Sequence, residues 1–110
     1  MSIITELDTV LSPAGLDIEA CVYTGKNPNH IVITPLGERN DDIADDDFLT
    51  ETSAADVNLY YVGNYQTKKN QLVSLLREAG FFIADRRLVE YIPDRRQNHY
   101  AITVEKKEVL

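Results

Sequence analysis

The sequence predicts an α+β domain in which two helices pack on one face of a mainly antiparallel sheet. Three observations carry this. First, Ala55, Val57, Leu59 and Tyr61 alternate with Asp56, Asn58 and Tyr60, the period of two that marks a strand with one buried face. Second, after Gly63-Asn64 the period becomes helical. Leu72, Leu75, Leu76 and Ala79 fall at i, i+3, i+4 and i+7, and Gly80 follows where a helix end wants a residue free to take φ > 0. A helix with a single apolar stripe needs a flat apolar surface, which a sheet supplies. Third, Phe81–Tyr91 and Asn98–Lys107 are strand-like stretches joined by Pro93-Asp94-Arg95-Arg96-Gln97, and a short turn between adjacent strands makes an antiparallel hairpin.

The other elements follow in chain order. Ile3, Ile4, Leu7, Val10 and Leu11 share a helical face, Ser2 stands where an N-cap belongs, and Ser12-Pro13-Ala14-Gly15 ends the helix. Residues 18–24 read as a short strand and Gly25-Lys26-Asn27-Pro28-Asn29 as a turn. His30–Leu36 is a strand with Ile31 and Ile33 on one face, and Pro35 places an edge or a strand end there. Residues 37–49 read as a loop, 50–62 as a long strand and 66–79 as the second helix. The order is α-β-β-β-α-β-β, in one domain spanning residues 1–110.

Hydrophobic residues make up 44% of the chain, enough for a core and too many for a disordered segment. There is no apolar run long enough to span a bilayer, so no membrane partner is expected, and the N-terminus lacks a signal-peptide pattern. Cys21 is the single cysteine; its apolar neighbours predict a buried, inert thiol. The net charge of −7 is unevenly placed. Residues 1–63 hold two basic and twelve acidic side chains, a net of −10, whereas residues 64–110 carry nine basic and six acidic, a net of +3. That balance argues against a nucleic-acid binder, which needs a strong basic patch. It suits a molecule that meets copies of itself, or a partner, through unlike faces.

No nucleophile elbow, zinc, redox or phosphate-loop motif occurs, so neither catalysis nor a cofactor is expected. His30 and His99 begin strands and read as solvated or locally hydrogen-bonded, and with one cysteine they make no zinc site. Asp41, Asp42, Asp45, Asp46 and Asp47 cluster in the acidic loop. Hard cations want such carboxylates, but the EF-hand order and its glycine are missing, so the loop is expected to be metal-free and mobile. Its use would be electrostatic, repelling polyanions or seeking a basic partner. The pairs Arg86/Arg87 and Arg95/Arg96 lie on or beside the last hairpin. They serve either to protect an edge strand or to meet an acidic partner surface. Tyr60 lies on the polar face of its strand, as an exposed interface aromatic or as a cross-strand pairing partner.

Several stretches together resemble the small tail-completion, or tail-terminator, proteins of long-tailed bacteriophages and prophages. They are His30–Arg39 (HIVITPLGER), the Ala44-Asp45-Asp46-Asp47 loop, Ala55–Val62 running into Gly63-Asn64-Tyr65, Leu72–Gly80 with Phe81, and the closing Asn98-His99-Tyr100 strand. The resemblance spans about residues 3–107 and contains no catalytic signature. It implies a virion assembly protein that forms a ring, typically a hexamer, at the head-proximal end of the tail. Such a ring stops tube growth and offers a docking surface to the head connector, with DNA passing through only as cargo. Its partners would be itself, the tail tube protein and the head completion protein; it would be assembled in the host cytoplasm and end in the virion tail. Separately from the resemblance, the like charge of carboxylates implies that an acidic loop facing the hole would keep DNA from sticking. The competing reading is a small α/β adaptor or inhibitor that binds a host protein through the acidic loop.

Overall fold

The computed structural model describes residues 2–40 and 50–109. Helix α1 covers Ile3–Leu11 and a 3-10 turn Ser12–Ala14. Strands β1 (Asp17–Ala20), β2 (His30–Asn40) and β3 (Thr50–Val62) follow. Helix α2 is Gln66–Glu78, β4 is Phe82–Ile92, a second 3-10 turn is Pro93–Arg95, and β5 is Gln97–Val109. The order is the one the sequence predicts. The five strands form one sheet in the order β1-β2-β3-β5-β4. Only β1 with β2 is a parallel pair among them; β2–β3, β3–β5 and β4–β5 are antiparallel.

Both helices lie on one face. From α1 come Leu7 and Leu11, and from α2 Leu72, Val73 and Leu76. They pack on Ile31 and Ile33, on Ala55, Val57 and Leu59, and on Tyr100, Ile102 and Val104, all of them buried. Each such aliphatic side chain contributes about 1.5–3 kcal/mol when removed from water. Leu75, Ala79 and Tyr61 flank this cluster half-buried. The Ser2 hydroxyl accepts from the Thr5 N–H at 3.2 Å, satisfying one of the free donors of the first turn. Gly80 leaves α2 at φ +89°, as the end of the helix requires. The Lys106 ammonium on β5 pairs with the Glu6 carboxylate on α1 and lies 5.0 Å from the Phe81 ring centre, tying helix to sheet.

Three expectations need correction. Strand β2 continues past Leu36 to Asn40, with a register shift between Pro35 and Gly37. The extra residue of that bulge lets the chain keep pairing with β3 where the composition reads as loop. Pro35 does sit beyond the end of β1, whose last partner on β2 is Ile33, so its missing N–H breaks no β1 ladder. Strand β1 is shorter than residues 18–24, and Cys21 is exposed, not buried. Its N–H donates to the Ile33 carbonyl at 2.9 Å, but its φ of +68° turns the chain away from the sheet and carries the thiol outward.

Candidate interaction surface

The sheet face opposite the helices is polar and aromatic. Strand alternation places there His30, Val32 and Thr34 of β2, Asp56, Asn58 and Tyr60 of β3, and His99, Ala101 and Thr103 of β5. At its upper end four rings form a column. Tyr23 stacks on His30 (centroids 3.7 Å apart, planes 6° from parallel), His30 on Tyr60 (4.9 Å), and Tyr60 on His99 (4.3 Å). The Gly25 backbone closes over Tyr23, since a Cβ at residue 25 would sit 2.4 Å from the Tyr23 hydroxyl. Tyr60 is therefore half-buried with both ring faces covered. Of the two sequence readings, the cross-strand pairing partner is the one observed, and Tyr60 is not an exposed anchor.

Hydrogen bonds define the tautomers. The Asn27 carbonyl can only accept, so His30 Nδ1, 2.7 Å away, carries a proton and donates. Asn58 Nδ2 donates to the Val32 carbonyl at 3.1 Å, which leaves its Oδ1 to accept from His99 Nε2 at 2.9 Å. Burial pushes the His99 pKa below its ordinary value, opposed by the negative charges of Glu90 and Asp56. Burial, with Glu90 nearby, pushes the Tyr60 hydroxyl up. Both histidines are thus locally hydrogen-bonded, as read from sequence, but neither is freely solvated.

The four arginines do not gather into one patch. Arg87 lies on the polar face, 2.9 Å from Asp85 and 4.0 Å from Asp56, and it donates to the Thr103 hydroxyl at 3.4 Å. Arg86 points to the helix side, as the alternation of a strand demands. Arg95 and Arg96 occupy the β4–β5 turn at one end of the sheet, and Arg96 takes φ +50°. Arg95 borders a shallow cleft of about 300 Å³ with Tyr23, Lys26, His30 and Gln97. Asp41, Asp42, Asp45, Asp46 and Asp47 lie outside the described residues. Among the described residues no three His, Cys, Asp or Glu side chains come together as a metal site, and no helix is long and apolar enough to cross a membrane.

Sequence reading missed two features. Gln97 is buried and donates from Nε2 to the Pro28 carbonyl at 2.7 Å, fastening the turn before β2 to the start of β5; a polar residue next to a turn gives no sign of such burial. Strand β4 is exposed along nearly its whole length. Its Phe82, Leu88, Val89 and Tyr91 stand 66%, 48%, 44% and 52% exposed; β4 has a neighbouring strand on one side only, and Phe82 turns to the polar face whereas Leu88 and Tyr91 turn to the helix side. On such an edge strand unpaired backbone groups and exposed apolar side chains occur together.

The structure is an α+β domain with two helices on one face of a five-stranded sheet and an exposed edge strand, β4. No family model matches the chain, and neither does any curated protein. Among solved structures, a chain of the virion of a native gene transfer agent (GTA) particle shares the fold. Its TM-score is 0.59 at 8% sequence identity, with 97% of this chain and 92% of that chain covered.

Proposed function

We propose that this chain is a structural protein of a phage-like particle, and in particular a tail-completion protein that caps the head-proximal end of the tail tube without performing catalysis. The observation that carries the reading is the fold likeness to a chain of a GTA virion, which extends over nearly the full length of both chains. Two features support the finer assignment. The sheet has two unlike edges, β1 and the exposed β4, and a ring built from one chain needs two different patches that meet head to tail. The −10 and +3 division of the sequence supplies unlike charge for such patches. The ring, hexameric by the resemblance, would meet the tail tube on one side and the head connector on the other, and the acidic segment would keep passing DNA from adhering.

Complementation tests the assignment. A particle-producing strain deleted for this gene should yield overlong tails or tails that fail to join heads, and the wild-type gene should restore them. Arg95→Glu with Arg96→Glu lies in an exposed turn and should leave the fold intact, yet it should fail to restore joining. Normal tail length and joining in the deletion strain would end the assignment.

A further inference from the structure

The two edges of the sheet match each other. Across the helix-side face, residues on one level run Leu88, Tyr100, Leu59, Ile31, Ile18, and on the next level Arg86, Ile102, Val57, Ile33, Ala20. One end of these rows is the bare β4 strand, with Leu88 half exposed. The other end is a groove of about 160 Å³ between α1 and β1, lined by the apolar Ile4, Ile18, Ala20 and Ile33 and by Thr5, Glu19 and the exposed carboxylate of Asp8. The knob, Leu88 beside the cation Arg86, and the slot, partly apolar with the carboxylates of Asp8 and Glu19 in its lining, thus stand at the same height on opposite edges.

Strand direction agrees. Following the pairing across the sheet, β1, β2 and β5 run one way and β3 and β4 the other. A second copy rotated about an axis along the strands therefore sets its β1 antiparallel to the first copy's β4, and facing residues of an antiparallel pair share a side. On the polar face the same superposition brings Arg87 level with Glu19. It also brings Glu90 level with Asp17, a like-charged row that opposes the contact.

We propose that β4 of one copy docks along the α1/β1 edge of a second copy of this chain, with Leu88 seated against Ile4, Ile18 and Ala20 of the groove and Arg86 facing Asp8. The contact is heterologous, so it propagates from copy to copy and closes where the rotation allows. It deepens the proposed ring and rests on that reading for its biological use, but not for its physical test.

Sedimentation over a concentration series, with thermal unfolding of each variant as a check on folding, measures the contact. Wild-type protein should associate reversibly. Arg86→Glu and Asp8→Lys should each weaken association roughly tenfold or more, since close like charges replace unlike ones. A chain carrying both changes should recover, as should an equimolar mixture of the two single variants, because each then offers the edge the other lacks. Glu90→Gln should strengthen association by removing the like-charged row. A wild-type chain that stays monomeric, a double variant no better than the singles, or a Glu90→Gln variant without effect overturns the proposal. Those outcomes are independent of the deletion experiment: normal particles from the deletion strain remove the virion role and leave the measured contact standing, whereas a failed charge exchange moves the contact and leaves the role.

Discussion

Tyr60 stacks on His99 with ring centres 4.3 Å apart and planes 16° from parallel. The pair joins two central strands at a position where the polar face would otherwise be open to water. His30 extends it to β2, and Tyr23, from the turn after β1, caps it. The column gives this face a spine of its own, independent of the helix-side core.

Removing the middle ring should therefore cost more than an exposed tyrosine normally does. Tyr60→Ala loses two stacked contacts, each about 0.5–1.5 kcal/mol beyond simple burial, and is expected to destabilise by on the order of 2–3 kcal/mol in urea unfolding. Tyr60→Phe keeps both ring faces and should stay within about 0.5 kcal/mol of wild type. Equal effects of the two changes would place the stability in the hydroxyl and not in the stack.

Gly25→Ala should disturb the column from its end. The added methyl meets the Tyr23 hydroxyl at 2.4 Å and the ring carbon that bears it at 2.5 Å, closer than any contact allows, so Tyr23 must leave His30 or the turn must shift. The Tyr23 hydroxyl also donates to Asp17 at 2.8 Å and accepts from the Asn27 N–H at 2.9 Å, and those bonds should be lost together. The expected readout is altered near-ultraviolet tyrosine dichroism with far-ultraviolet dichroism unchanged; an unaltered near-ultraviolet spectrum would contradict it.

The pH dependence has a definite sign. The folded-state pKa of His99 lies below its ordinary value of 6.5. Between those two values the unfolded chain binds the extra proton and the folded chain does not, so stability falls as pH drops through about 6.5 and is flat above it. Glu90, Asp56 and Arg87 are the charges that face the ring, the carboxylates limiting the shift and the guanidinium adding to it. His99→Gln should flatten the stability profile between pH 5 and 6.5, roughly the window where only histidine titrates. An unchanged slope in that variant would assign the dependence to another group.

In the core, Leu76→Ala should cost about 2–5 kcal/mol, because Leu76 is fully buried beneath α2. Leu75→Ala should cost clearly less, since Leu75 sits half-buried at the margin of the same cluster. Guanidinium unfolding of the two variants side by side distinguishes a helix seated as described from one rotated by a residue, which would reverse the order.

Most of the fold was legible because its signals are local. The change of period between Leu59 and Leu72 required one strand and one helix whatever surrounded them, and Ser2 and Gly80 act through backbone geometry within a single turn. Of the candidate surface much less was legible. Arg87 looks in sequence like a free cation beside Arg86, yet in space it is held by Asp85 and Asp56, and Asp56 lies on a strand far from it in the chain. Cys21 has apolar neighbours and still ends outside, because one residue at φ +68° reverses the chain.

The sequence by itself determined which faces are apolar, where the helices begin and end, and the order of the elements, since side-chain period and capping depend on residues a few positions apart. Only the tertiary structure decided the strand order β1-β2-β3-β5-β4, the column of Tyr23, His30, Tyr60 and His99, and the exposure of β4. The reason is that pairing partners compete across the whole chain. Which strands become edges depends on how far two helices of nine and thirteen residues can reach across five strands, a balance of areas that no local pattern encodes.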